Sequence, residues 1–64
     1  MINKIKELRK SKGYRQEDLA ESLNVSRQTI IDIENNKYNP TLELAMKLAR
    51  YLNTTIEELF ELED

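Results

Sequence analysis

The stretch QEDLAESLNVSRQTIIDIE, Gln16 to Glu34, constrains the fold of this chain more than any other. Two short runs carry apolar residues at helical spacing, and a residue suited to a tight turn separates them. In the first run Leu19, Ala20 and Leu23 share a face, and Ala20 is small where a second helix could cross closely. Tyr14 and Leu19 stand at the spacing of a hydrophobic staple, and Glu17 and Asp18 put negative charge in the first turn, complementing the dipole. Arg15 is a poor cap, because Ser, Thr, Asn or Asp is preferred there. Asn24 tolerates the left-handed conformation of a turn. Val25, Ser26 and Ile30 then form a capped and stapled start for a further helix, Arg27 to Glu34.

At about 100° per residue, Ile30, Ile33 and Glu34 lie on the inner side of this helix. Gln28, Asp32 and Asn35 lie on its outer side, with Ile31 and Arg27 on one flank and Thr29 on the other. An inward carboxylate needs a cation, since an unpaired buried charge is costly. Arg9 supplies one, being the other charged residue on an inward stripe, and an ion pair between Arg9 and Glu34 is expected.

The flanks read as a scaffold for this unit. Ile2, Ile5, Leu8 and Arg9 recur at helical spacing, so a first helix is expected over residues 3–12, ended by Gly13 in the left-handed position. Asn36 ends helix three, and Pro40 blocks its continuation. Thr41 caps a fourth helix over 42–52, with Leu42, Ala45, Leu48, Ala49 and Leu52 facing inward, and Asn53 ends it. Thr55-Ile56-Glu57-Glu58 is a capping box for a fifth, reaching about Phe60. Ile56, Leu59, Phe60 and Leu62 exceed the apolar surface so small a domain can hide. Leu59 suits the core, whereas Ile56, Phe60 and Leu62 point to a subunit interface.

Residues 1–64 are thus expected to form one small all-α domain with a helix-turn-helix core at 16–35. Without Cys or His, there is no disulfide, thiolate metal site, cysteine nucleophile or imidazole base. The acidic pairs Glu17/Asp18 and Glu57/Glu58 sit at helix starts, where dipole and capping explain them, so an enzyme is not expected. Apolar runs are too short for a membrane span or signal peptide, which makes a cytoplasmic protein the default. Net charge is −2, but residues 1–40 carry five Lys and three Arg against six acids (+2), and residues 41–64 carry one of each against six (−4). A mildly basic front and an acidic tail allow a polyanionic partner at the front, with modest non-specific affinity.

The segments IKELRKSKGYRQEDLAESLNVSRQTI, IENNKYNPTLELAMKLARYLN and TTIEELF resemble the Cro/C1-type (XRE) helix-turn-helix regulators, especially compact cytolysin-repressor-like proteins. The resemblance covers nearly the whole chain. It implies a five-helix bundle of the lambda-repressor type, helix three in the DNA major groove, and a homodimer on a palindromic operator. It also implies a short strand pair near the chain ends, Met1-Ile2 with Glu61-Leu62. Carried over by position, Arg27, Gln28 and Asp32 match residues that reach base edges, and Gln16 matches a phosphate contact at the start of helix two. Ser26, Asn35 and Lys37 match sites that position the DNA backbone, and Arg9 with Glu34 matches the family's ion pair. This chain departs from the family at Arg15, which either weakens helix two or adds a phosphate contact. Asn36 and Asn53 stand where Gly is usual, and Ile31 where a polar residue is common.

The side-chain chemistry agrees with that implication. Arg27 can donate twice to guanine, and Gln28 can pair bidentately with adenine. Asp32 can accept from cytosine or repel wrong sequences, and Ile31 can touch a thymine methyl. Gln16, Arg15, Ser26, Thr29, Asn35, Lys37 and Tyr38 are the candidates for the DNA backbone. A double-stranded operator and a second copy of the chain are the expected partners, and a repressor is the expected role. No cofactor, metal or small-molecule ligand is evident. The alternative is an antitoxin or adaptor that uses the same fold chiefly to bind another protein.

Overall fold

The computed structural model describes residues 1–63. Among them, β1 (Ile2–Asn3) is followed by α1 (Ile5–Ser11), α2 (Gln16–Leu23), α3 (Arg27–Glu34), α4 (Leu42–Tyr51), α5 (Ile56–Leu59) and β2 (Phe60–Glu61). The strands pair antiparallel, Ile2 opposite Glu61 and Asn3 opposite Phe60. The terminal pair therefore sits one residue later on the N-terminal side, and earlier on the C-terminal side, than Met1-Ile2 with Glu61-Leu62.

Each of the first four helices ends in the same way. Gly13, Asn24, Asn36 and Asn53 take positive φ, at 73°, 57°, 60° and 57°. Each such turn lets the following amide reach back over the last helical turn: Tyr14 to Arg9, Val25 to Ala20, Lys37 to Asp32, and Thr54 to Ala49, at 2.8–3.0 Å. Glycine is free of strain there, and Asn is the side chain that best tolerates the geometry.

The helix starts are less uniform. Ser26, Thr41 and Thr55 each accept an amide hydrogen in the first turn of α3, α4 and α5. Arg15 has no acceptor, so only the return half of a capping box forms, its own amide donating to Asp18 Oδ2 at 2.7 Å.

Three further expectations are corrected. Helix one begins at Ile5, not residue 3, because Asn3 accepts the Ile5 amide at 3.2 Å and joins the strand pair, leaving Ile2 exposed on β1. Helix five stops at Leu59, where β2 takes over. Leu42 is not buried: on the first turn of α4 it is 71% exposed, whereas Ala45, Leu48, Ala49 and Leu52 are covered.

The core gathers one or more buried residues from every helix: Ile5, Leu19, Ile30, Ile33, Leu48 and Leu59 are essentially inaccessible. Tyr14 closes one edge, its ring centroid 5.1 Å from that of Tyr51 on α4.

Candidate nucleic-acid interface

Ile30 and Ile33 anchor one side of α3 in the core, so helical periodicity turns the opposite side outward. Gln28 and Asn35 are exposed there, Asp32 is half-buried, and Arg27 is exposed on the flank. Gln28 Nε2 donates to Asp32 Oδ1 at 2.9 Å, a bond between successive turns of one face. Ile31 is half-buried on the flank and stands outside the core cluster. Nothing in the structure explains why it is apolar.

The start of α3 is closed by a pair of hydroxyls. Ser26 Oγ accepts the Thr29 amide at 3.1 Å and lies 2.9 Å from Thr29 Oγ1. The mutual bond uses one hydroxyl hydrogen and leaves the other able to donate outward. At the other end, the left-handed turn at Asn36 leaves Lys37 and Tyr38 exposed beyond the helix. Arg15 is exposed at the start of α2, 3.9 Å from Glu17, too long and too solvated to hold it.

Beneath this face lies a buried polar network. Arg9 Nε and Nη2 donate to Glu34 Oε2 and Oε1 at 2.7 and 3.2 Å, and Arg9 Nη1 donates to the Tyr14 carbonyl at 3.1 Å. Gln16 Nε2 donates to Glu34 Oε1 at 3.2 Å. Among the described residues no buried side-chain polar atom lacks a partner, so the charges are compensated rather than stranded. The network ties α3 to α1 and α2, and half of the Gln16 amide is committed to it.

Asn3 adds a link that the sequence pattern does not single out. Its Nδ2 donates to the Ile33 carbonyl and to Asn36 Oδ1, both at 2.9 Å, which fastens β1 to the end of α3. The available signal was an Asn just ahead of an apolar-periodic run, a common start marker for a helix.

The remaining sequence-derived candidates lie elsewhere on the molecule. Ile56 and Phe60 are half-buried and pack against the core, while Leu62 is 76% exposed. Ile56 and Phe60 line an open apolar groove together with Met1, Pro40, Leu42 and Ala45.

A helix-turn-helix family model matches residues 5–59, the span from α1 to α5. The chain belongs to the helix-turn-helix family. Over all 64 residues it is 52% identical to an HTH-type transcriptional regulator of Methanocaldococcus jannaschii and covers 97% of that protein. Among solved structures it is similar to the restriction-modification controller protein C.AhdI of Aeromonas hydrophila. There the TM-score is 0.81 at 35% identity, covering 89% of this chain and 86% of that one. It is also similar to the biofilm master regulator SinR of Bacillus subtilis, solved in complex with DNA, at TM-score 0.75 and 33% identity, covering 83% and 86%. This helix-turn-helix chain is a DNA-binding transcriptional regulator of the Cro/C1 type, which is not a class of enzymes.

Proposed function

We propose that two copies of the chain, each acting as one domain, bind a palindromic operator with α3 in the major groove and repress transcription from it. The observation that carries this reading is the outer face of α3. Gln28 is exposed there and Arg27 on its flank, and among the described residues neither side chain bonds another element. Arg27 suits guanine and Gln28 suits adenine, with Ile31 beside them for a thymine methyl and Asp32 as a selector. Around them Gln16, Arg15, Ser26, Thr29, Asn35, Lys37 and Tyr38 supply donors for phosphates, which fix register without reading sequence.

One helix reads only a few base pairs, so useful specificity needs two half-sites about 34 Å apart. The apolar groove lined by Ile56, Phe60 and the exposed Leu42 supports a second copy as the partner, and Leu62 adds further exposed apolar surface. Occupancy by such a dimer represses by keeping other proteins off the same duplex. No helix among the described residues is long and apolar enough to cross a membrane, and the cytoplasm is the proposed location.

Selection from randomised duplexes at moderate salt tests the reading. An enriched inverted repeat is the expected result, and a pool with no preference overturns it. The same apolar groove also favours an adaptor role, and a solved SinR structure holds the SinI protein. Sedimentation of the purified chain separates the two readings: self-association supports the homodimer, and a monomer that binds no duplex supports the adaptor.

A further inference from the structure

We infer that Asp32 is a positioning residue that sets which base Gln28 selects, rather than a reader of its own base. The inference rests on the proposed reading of DNA by α3. Among the described residues, Asp32 makes no ion pair, and its one side-chain hydrogen bond is the 2.9 Å contact from Gln28 Nε2. Asp32 is half-buried and Gln28 exposed, one turn apart on the outer face of α3.

The chemistry of the pair fixes the amide's orientation. A carboxylate only accepts, so the Gln28 nitrogen and not its oxygen must face Asp32. One amide hydrogen is then spent on Asp32. What remains for a base is a fork of one donor and one acceptor, the second N–H and Oε1. Adenine presents its complement, accepting at N7 and donating from N6. Guanine presents two acceptors, N7 and O6, and its O6 would meet Gln28 Oε1 oxygen to oxygen. Without Asp32 the amide is free to turn and offer both hydrogens to guanine. The carboxylate thus converts an ambiguous side chain into an adenine selector. Its negative charge also weakens attraction to the phosphates of every sequence alike.

The test compares selected sites for wild type, Asp32→Ala, Asp32→Asn, Gln28→Ala and the double variant Gln28→Ala/Asp32→Ala. Gln28→Ala identifies the base pair that Gln28 reads. At that pair, wild type should prefer adenine over guanine by about tenfold or more. Asp32→Ala should bring the ratio to within about twofold while binding all duplexes more tightly, and Asp32→Asn should fall between, because an amide can face Gln28 either way. In the Gln28→Ala background, Asp32→Ala should leave base preference unchanged. An unaltered ratio in Asp32→Ala overturns the inference. So does a changed preference at a different base pair that persists without Gln28, which marks Asp32 as a direct reader. A wild-type protein with no sequence preference overturns the DNA-reading proposal and this inference with it. Matching thermal melts for the Asp32 variants keep folding out of the comparison.

Discussion

The guanidinium of Arg9 and the carboxylate of Glu34 meet through two hydrogen bonds of 2.7 and 3.2 Å, though 25 residues separate them in the chain. Their side chains are 9% and 2% exposed, so the pair is a buried link between α1 and the last turn of α3. Removing one partner leaves the other charge stranded, which costs about 3–5 kcal/mol. Replacing both with apolar residues removes the stranded charge. Urea unfolding of Arg9→Met, Glu34→Leu and the double variant should show a double loss well below the sum of the singles. If a single variant unfolds outright, the double should still fold. Additive losses would show that the two residues act independently.

Asn36 and Asn53 occupy the same left-handed backbone, with φ of 60° and 57°, but among the described residues only the Asn36 side chain also bonds another element, through Asn3. Asn53→Ala should lose about 1–2 kcal/mol from backbone strain alone. Asn36→Ala should lose that and roughly a further 1 kcal/mol for the bond to Asn3. Thermal melts compare the two directly. An Asn36→Ala penalty no larger than that of Asn53→Ala means that the Asn3 bond contributes nothing.

These cases show where sequence reasoning reaches. The three left-handed asparagines and the caps at Ser26, Thr41 and Thr55 are legible because each depends on residues within one turn. The Arg9–Glu34 link was legible for a different reason: two charges on inward stripes have few alternatives to meeting. Asn3 was hidden because its partners lie at the far end of α3, and a local pattern assigned it to a helix. Helical spacing groups Leu42 with the inward residues, but periodicity gives the direction of a side chain and not whether anything lies there to cover it. The spacing of Gln28 and Asp32 was visible, but their contact depends on rotamers that spacing does not set.

On DNA, the two glutamines should separate reading from anchoring. Gln28→Ala should cost about 1–3 kcal/mol on the best operator and relax preference at one base pair. Gln16→Ala should weaken binding to all duplexes alike, since a phosphate contact carries no sequence information. It should also lower stability modestly, because Gln16 donates to the buried carboxylate of Glu34. Titrations against a selected and a scrambled duplex at one salt concentration read both effects. A Gln16→Ala loss confined to the selected duplex would contradict the anchoring role.

Acid should loosen the paired chain ends. The α-ammonium of Met1 hydrogen-bonds the Glu63 carboxylate, and that bond, helped by the ammonium's charge, holds the carboxyl below its ordinary value of 4.5. A depressed folded pKa means that the contact stabilises above the unfolded value and is lost as pH falls through the folded one. Amide exchange at Ile2 and Asn3 should therefore gain an acid-dependent opening below about pH 4.5. The opening should be small and salt-sensitive, because both groups are solvated. Glu63→Gln should abolish the pH dependence, and an unchanged profile in that variant would assign it to another carboxylate.

Leu42 gives the cleanest access to the proposed dimer. Phe60 and Ile56 pack against the core, so their substitution mixes folding with association. Leu42 is 71% exposed, and Leu42→Lys should change stability by no more than about 0.5 kcal/mol. In a twofold interface each substitution acts twice. Losing two buried leucines at about 1.5 kcal/mol each weakens association by about 3 kcal/mol, which is roughly a hundredfold in dissociation constant. Sedimentation equilibrium should show that shift, and the affinity for an isolated half-site should stay the same. If Leu42→Lys associates like wild type, the second copy does not cover this groove. Loss of half-site binding instead would mean that the substitution reaches α3.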